Sequence, residues 1–191
     1  MNPINYRLYP TLLNTFDRYQ KGYMSKEILL DRINRVPVPQ TLAQAKGSSF
    51  EEAVIKGTNE EEFDPEILQK VRMLLPRPMV KTQVYCEYQL DNVLLYGYVD
   101  VIGKIVAVDI KTTSNYKPGS FAFSHQNFYL PALRSKGIRT LRYVITDFKD
   151  VYQEDYDQSV DFSSQHLQIN DFCEFLEVHR NEITDARIFG A

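Results

Sequence analysis

The apolar positions along the chain fall into two periods, one helical and one extended. Between residues 11 and 33, Leu12, Leu13, Phe16 and Tyr19 recur at helical spacing, and Gly22 stops the run. Ser25 is placed to cap a second short helix that carries Ile28, Leu29 and Ile33. Val36-Pro37-Val38-Pro39 cannot continue a helix and reads as an extended connection. A third helix is predicted over 42–56, with Gly47, Phe50 and Val54 on one inward arc, Glu51 at its edge, and Glu52 and Lys56 pointing away. Asp64 as cap and Pro65 at the first helical position start a fourth, which runs to about Leu75 before Pro76 and Pro78 end it.

The period then changes to two. Residues 80–112 read as three strands of an antiparallel meander, turning at Asp91-Asn92 and at Gly103-Lys104. A helix over 120–135 is expected next, closed by Gly137. Strands over 141–148 and 152–156 and an amphipathic helix over 164–183 complete the chain. The mixture is α/β, arranged as one domain over 1–191. Its N-terminal helical part is 1–46, its core 47–148, and its C-terminal strand and helix 149–191.

Composition narrows the function classes. A chain of 191 residues with 43% hydrophobic content can bury a core without staples. Cys86 and Cys173 belong to no CxxC or Cys/His set, so neither a zinc site nor a disulfide framework is indicated. No apolar run approaches a membrane span, and the polar start MNPINYRLYP lacks a signal-peptide pattern, so an intracellular, cytoplasmic protein is expected with no membrane partner. The net charge of −3 is unevenly spread. No Asp or Glu lies between Lys111 and Thr146, whereas Lys111, Lys117, Arg134, Lys136, Arg139 and Arg142 do; the rest of the chain carries −9 by the same count. Such a segment suits either a phosphate backbone or a solvated helix face.

The candidate chemistry sits in VLLYGYVDVIGKIVAVDIKT, residues 93–112. Two carboxylates interrupt this apolar hairpin: Asp100 at the end of one strand and Asp109 inside the next. Lys111 shares the strand face of Asp109. Carboxylates beside an apolar strand are costly to bury unless paired or holding a metal. Two of them with a lysine are the parts needed to bind a divalent cation and place an attacking water near a phosphodiester.

Gly97-Tyr98-Val99-Asp100 followed by Asp109-Ile110-Lys111 resembles the core motif of the PD-(D/E)XK nuclease superfamily. GSSFEEAVIKG resembles the first motif of its RecB-like, lambda-exonuclease-like branch, which places Glu51 near the metal, although the common histidine is absent. Gln126 and Tyr129, three apart on one helical face, resemble that branch's Q-x-x-Y element. The resemblance implies a restriction-endonuclease-like core, a mixed central β-sheet flanked by α-helices on both sides. It implies Mg²⁺ or Mn²⁺ on Asp100, Asp109 and the carbonyl of Ile110, with Glu51 or the lesser candidate Glu87 completing the shell. Lys111 would orient water or stabilise the transition state, and Gln126 and Tyr129 would position the lysine or the phosphate. Lys117, Arg134, Lys136, Arg139 and Arg142 would contact DNA, single-stranded or at duplex ends. An exonuclease of recombination, repair or phage DNA processing is implied, bacterial or phage-encoded, with a recombination or helicase protein as companion and an oligomer compatible with it. Two cysteines cannot supply the four that hold an iron–sulphur cluster in several relatives, and no GxxxxGK[ST] element is present, so neither a cluster nor ATP is expected. Two rivals stand beside this reading: a catalytically idle nucleic-acid-binding or assembly subunit on the same fold, and a phosphate-handling enzyme acting on nucleotides.

Overall fold

The computed structural model describes residues 3–190; Met1, Asn2 and Ala191, which the sequence reading includes in its domain, lie outside them. The helical half follows the apolar periodicity closely. Helices α1 (Pro10–Gln20), α2 (Lys26–Ile33), α3 (Leu42–Lys56) and α4 (Pro65–Leu74) form where expected. Their starts have local causes. Ser25 accepts from the Ile28 N–H, Thr41 and Gln44 make a reciprocal capping box, and Asp64 caps ahead of Pro65.

Six strands make one mixed sheet. Short β1 (Tyr6–Leu8) precedes α1, and β2 (Lys81–Leu90), β3 (Val93–Ile102) and β4 (Val106–Thr112) form the antiparallel meander. β5 (Thr140–Thr146) lies parallel to β4, and β6 (Val151–Asp157) closes the edge antiparallel to β5. Helices cover both faces. Leu12, Leu13 and Phe16 of α1 pack with Phe172 and Leu176 on one side, and Phe50, Val54, Ile67 and Val71 of α3 and α4 pack on the other. No helix among the described residues is long and apolar enough to cross a membrane.

Three elements depart from expectation. β1 was not anticipated, because three residues with a parallel partner, Tyr6–Leu8 on Val93–Leu95, carry no periodic signal of their own. The helix expected over 120–135 shrinks to a 3₁₀ turn His125–Phe128 and the short α5 (Tyr129–Leu133), followed by a 3₁₀ turn Arg134–Lys136. Its first turn is lost because the Asn127 amide donates to the carbonyls of Phe121 and Ala122, holding that stretch as a loop. The last helix, α6, spans Ser163–Val178 and gives way to a 3₁₀ turn at Arg180–Glu182.

The feature that positions the site is a fork in the sheet. β2 pairs along almost the whole of one edge of β3. The other edge is shared: β1 takes Val93–Leu95, β4 takes only Val101 and Ile102, and residues 96–100 between them are left without a strand partner there. Asp100 sits where β3 and β4 separate.

Candidate functional site

Continuing the β3–β4 ladder by one step would place Asp100 opposite Asp109, but the strands diverge there. The Asp100 side chain bridges the gap instead, its Oδ2 accepting from the Ile110 N–H at 2.7 Å. Both aspartates are buried, Asp109 to 2% exposure. Lys111 forms an ion pair with Asp109 Oδ2. Glu51 reaches the cluster from α3, which approaches β4 so closely at Gly47 that a Cβ there would lie 2.8 Å from Thr112 Oγ1. The Gln83 amide nitrogen joins the two carboxylate sets, donating to Glu51 Oε1 at 2.6 Å and to Asp100 Oδ1 at 3.2 Å.

The electrostatics follow from crowding charge in a dry place. Burial, with Asp109 and Glu51 adding repulsion, pushes Asp100 up to about 8. Burial likewise raises Asp109, with Lys111 opposing it, and burial and then the Asp109 charge raise Glu51. Burial pulls Lys111 down, but Asp109 and Asp100 outweigh it, so its pKa lies above the ordinary lysine value. Among the described residues no three His, Cys, Asp or Glu side chains converge closely enough to form a metal cage by themselves. The donor set nevertheless fits a hard divalent cation: two buried carboxylates and a carbonyl at Ile110, with no sulfur or imidazole among them.

A pH dependence follows with a definite sign. An unfolded aspartate titrates near 3.9, whereas Asp100 in the metal-free fold holds its proton to about 8. Between those values the folded state binds the proton that the unfolded state has released, so metal-free stability falls as pH rises and levels off above about 8. Thermal melts in EDTA across this window should show that slope, and Asp100→Asn should flatten it. A cation must displace the same proton, so its affinity should rise over the same interval.

The other expected residues fall into two groups. Gln126 lies near Lys111: the two line one groove of about 880 Å³ together with Asn14, Lys21 and Gln168. Its amide oxygen accepts from Ser124 at 2.6 Å. Tyr129 is buried, and its hydroxyl donates to the Tyr98 carbonyl of β3 at 2.8 Å. It therefore braces the backbone two residues before Asp100. Tyr129→Phe removes that hydrogen bond and should cost about 1 kcal/mol of stability, read from denaturant midpoints.

The second group lies away from the carboxylates. Glu87 is exposed on β2, four residues from Gln83, and accepts from Tyr85. Arg142 is committed to Asp155, at 2.9 and 2.8 Å, and to the Leu74 carbonyl. Arg139 immediately precedes β5, its N–H donating to the Ile105 carbonyl. That is the opposite end of β4 from Lys111, roughly 20 Å away at strand rise. Arg134 and Lys136 precede it in the same connection, and Lys117 lies in the exposed loop after β4. The structure thus does not gather the basic segment around the aspartates. A second groove, about 710 Å³, does meet Lys111, and it carries Lys46, whose ammonium lies 3.8 Å from the centroid of the Phe148 ring. Sequence reasoning passed over Lys46 and Gln83. Counting back across the Asp91-Asn92 turn from Asp100 lands on Gln83, so that residue was within reach of the register argument.

No protein-family model and no curated protein matches the chain. Solved structures do match in fold. A protein from Eubacterium rectale, provisionally named an exonuclease, superposes with a TM-score of 0.57 at 13% identity, over 90% of this chain and 82% of its own. The protein SSO0001 superposes with a TM-score of 0.52 at 16% identity, over 92% of this chain and 79% of its own. At these identities the likeness is one of fold: a mixed α/β sheet flanked by helices, of a kind shared with a nuclease-like neighbour.

Proposed function

We propose that this chain is a metal-dependent deoxyribonuclease of the PD-(D/E)XK superfamily, in its RecB-like branch, acting as an exonuclease on DNA. The observation that carries the reading is the burial of Asp100 and Asp109 at a fork in the sheet, directly beside a lysine at the meeting point of two open grooves. Carboxylates buried this way are expensive as structural elements and make sense as ligands.

Asp100, Asp109 and the carbonyl of Ile110 would hold Mg²⁺ or Mn²⁺, with Glu51 as the further oxygen donor. The bound cation would supply a water of lowered pKa and offset the charge that develops on the phosphate. Lys111, held protonated by its carboxylate neighbours, suits a cationic role towards a phosphoryl oxygen or the attacking water better than that of a general base. Lys46 and the amide of Gln126 stand along the grooves on either side and could guide a strand across it. Asp109 and Asp100 would thus fix the reacting centre while polar groove residues position the backbone.

The experiment is digestion of end-labelled linear and closed circular DNA with Mg²⁺, Mn²⁺ or EDTA. Loss of label from linear ends, with the circle spared and EDTA abolishing the reaction, is the expected result. Cleavage of the circle would replace the exonuclease by an endonuclease. An inert protein that still binds DNA would favour the idle subunit.

A further inference from the structure

We propose that Gln83 is a gate on the carboxylate cluster: its amide occupies the space between Glu51 and Asp100 in the metal-free protein and must withdraw for a cation to enter. This rests on the metal-dependent reading and extends it to a residue outside the recognised motif. The backbone supplies the first observation. Thr82 pairs with Val101 and Val84 with Val99, yet Gln83 makes no pair with Asp100, and its φ is +49°. Among the described residues it is the one non-glycine residue inside a strand with a positive φ. A side chain with a Cβ adopts that conformation at a cost, and such strain persists where surrounding contacts impose it.

The contacts are the second observation. The Gln83 amide nitrogen has two hydrogens, and both are engaged, one with Glu51 at 2.6 Å and one with Asp100 at 3.2 Å. A cation shared by those carboxylates would need the lone pairs that the amide now uses. The amide spaces the carboxylates apart, which accounts for the lack of a ready-made three-carboxylate cage beside two buried aspartates. Once both carboxylates are ionised the amide offsets repulsion between them; when a cation arrives, the same two hydrogen bonds are what it displaces. Gln83 is therefore a positioning residue that acts through Glu51 and Asp100.

The test is calorimetric titration with Ca²⁺, using wild type, Gln83→Ala and Gln83→Met at about pH 9, well into the range where carboxylates are ionised. Met keeps the length of the side chain and removes its donors, so it separates the amide from the space it fills. Both variants should bind Ca²⁺ roughly tenfold more tightly or better, since they give up no charge-assisted hydrogen bonds to the ion. Both should also melt at a lower temperature than wild type in EDTA. A merely structural glutamine would lower the melting temperature without tightening the metal. Unchanged or weaker Ca²⁺ binding in Gln83→Met overturns the gate. Absence of Ca²⁺ binding in wild type and variants alike overturns the metal reading beneath it.

Discussion

Lys111→Ala is expected to lower turnover on the order of 10²- to 10³-fold while metal affinity stays level or rises. A cation does not ligate a cation, so the contribution of Lys111 must go to water or phosphate. Its ion pair with Asp109 also competes with any metal for that carboxylate. Removing the ammonium frees Asp109 for the ion and takes away a nearby positive charge, which is why affinity should not fall. The variant should keep its fold, because Lys111 is partly exposed and its backbone stays in the β4–β5 ladder. Calorimetric metal titration run beside a cleavage assay separates the two effects. Full activity in this variant would make Asp109-Ile110-Lys111 a chance triplet.

Asp109→Asn should lose both cleavage and tight metal binding. Asparagine keeps the shape of the side chain but removes a formal charge from the centre of the oxygen set. The charge stabilisation a bound cation supplies is worth several kcal/mol, so turnover should fall on the order of a thousandfold or more. Burial already disfavours the Asp109 charge in the metal-free protein, so the neutral variant is not expected to unfold. The informative contrast is between the two substitutions: Lys111→Ala separates binding from turnover, and Asp109→Asn removes them together.

Much of this site was legible in the sequence because its parts lie on strands whose register the turns fix. Asp91-Asn92 and Gly103-Lys104 define the meander, and the meander places Asp100 beside Asp109. The helix over 42–56 was equally plain, since Phe50 and Val54 mark its buried arc and Glu51 its rim. That the basic stretch is not gathered around the aspartates has a physical reason. A charge count along the chain ignores that β5 runs parallel to β4, which puts Arg139 at the end remote from Lys111. Arg142 faces a side-chain partner, Asp155, that only the pairing of β5 with β6 reveals. The hydrogen bond from Tyr129 to the Tyr98 carbonyl was not legible, because it depends on how α5 packs against the sheet. The strain at Gln83 has no sequence signature at all, since nothing in Thr-Gln-Val announces a left-handed residue inside a strand.

The most direct measurement compares wild type and Asp109→Asn, purified in parallel and matched in thermal melt, on end-labelled DNA in Mg²⁺. The account predicts release of label by wild type, none by the variant, and none by either once EDTA is added. Equal release by both proteins, or release that persists in EDTA, would contradict it.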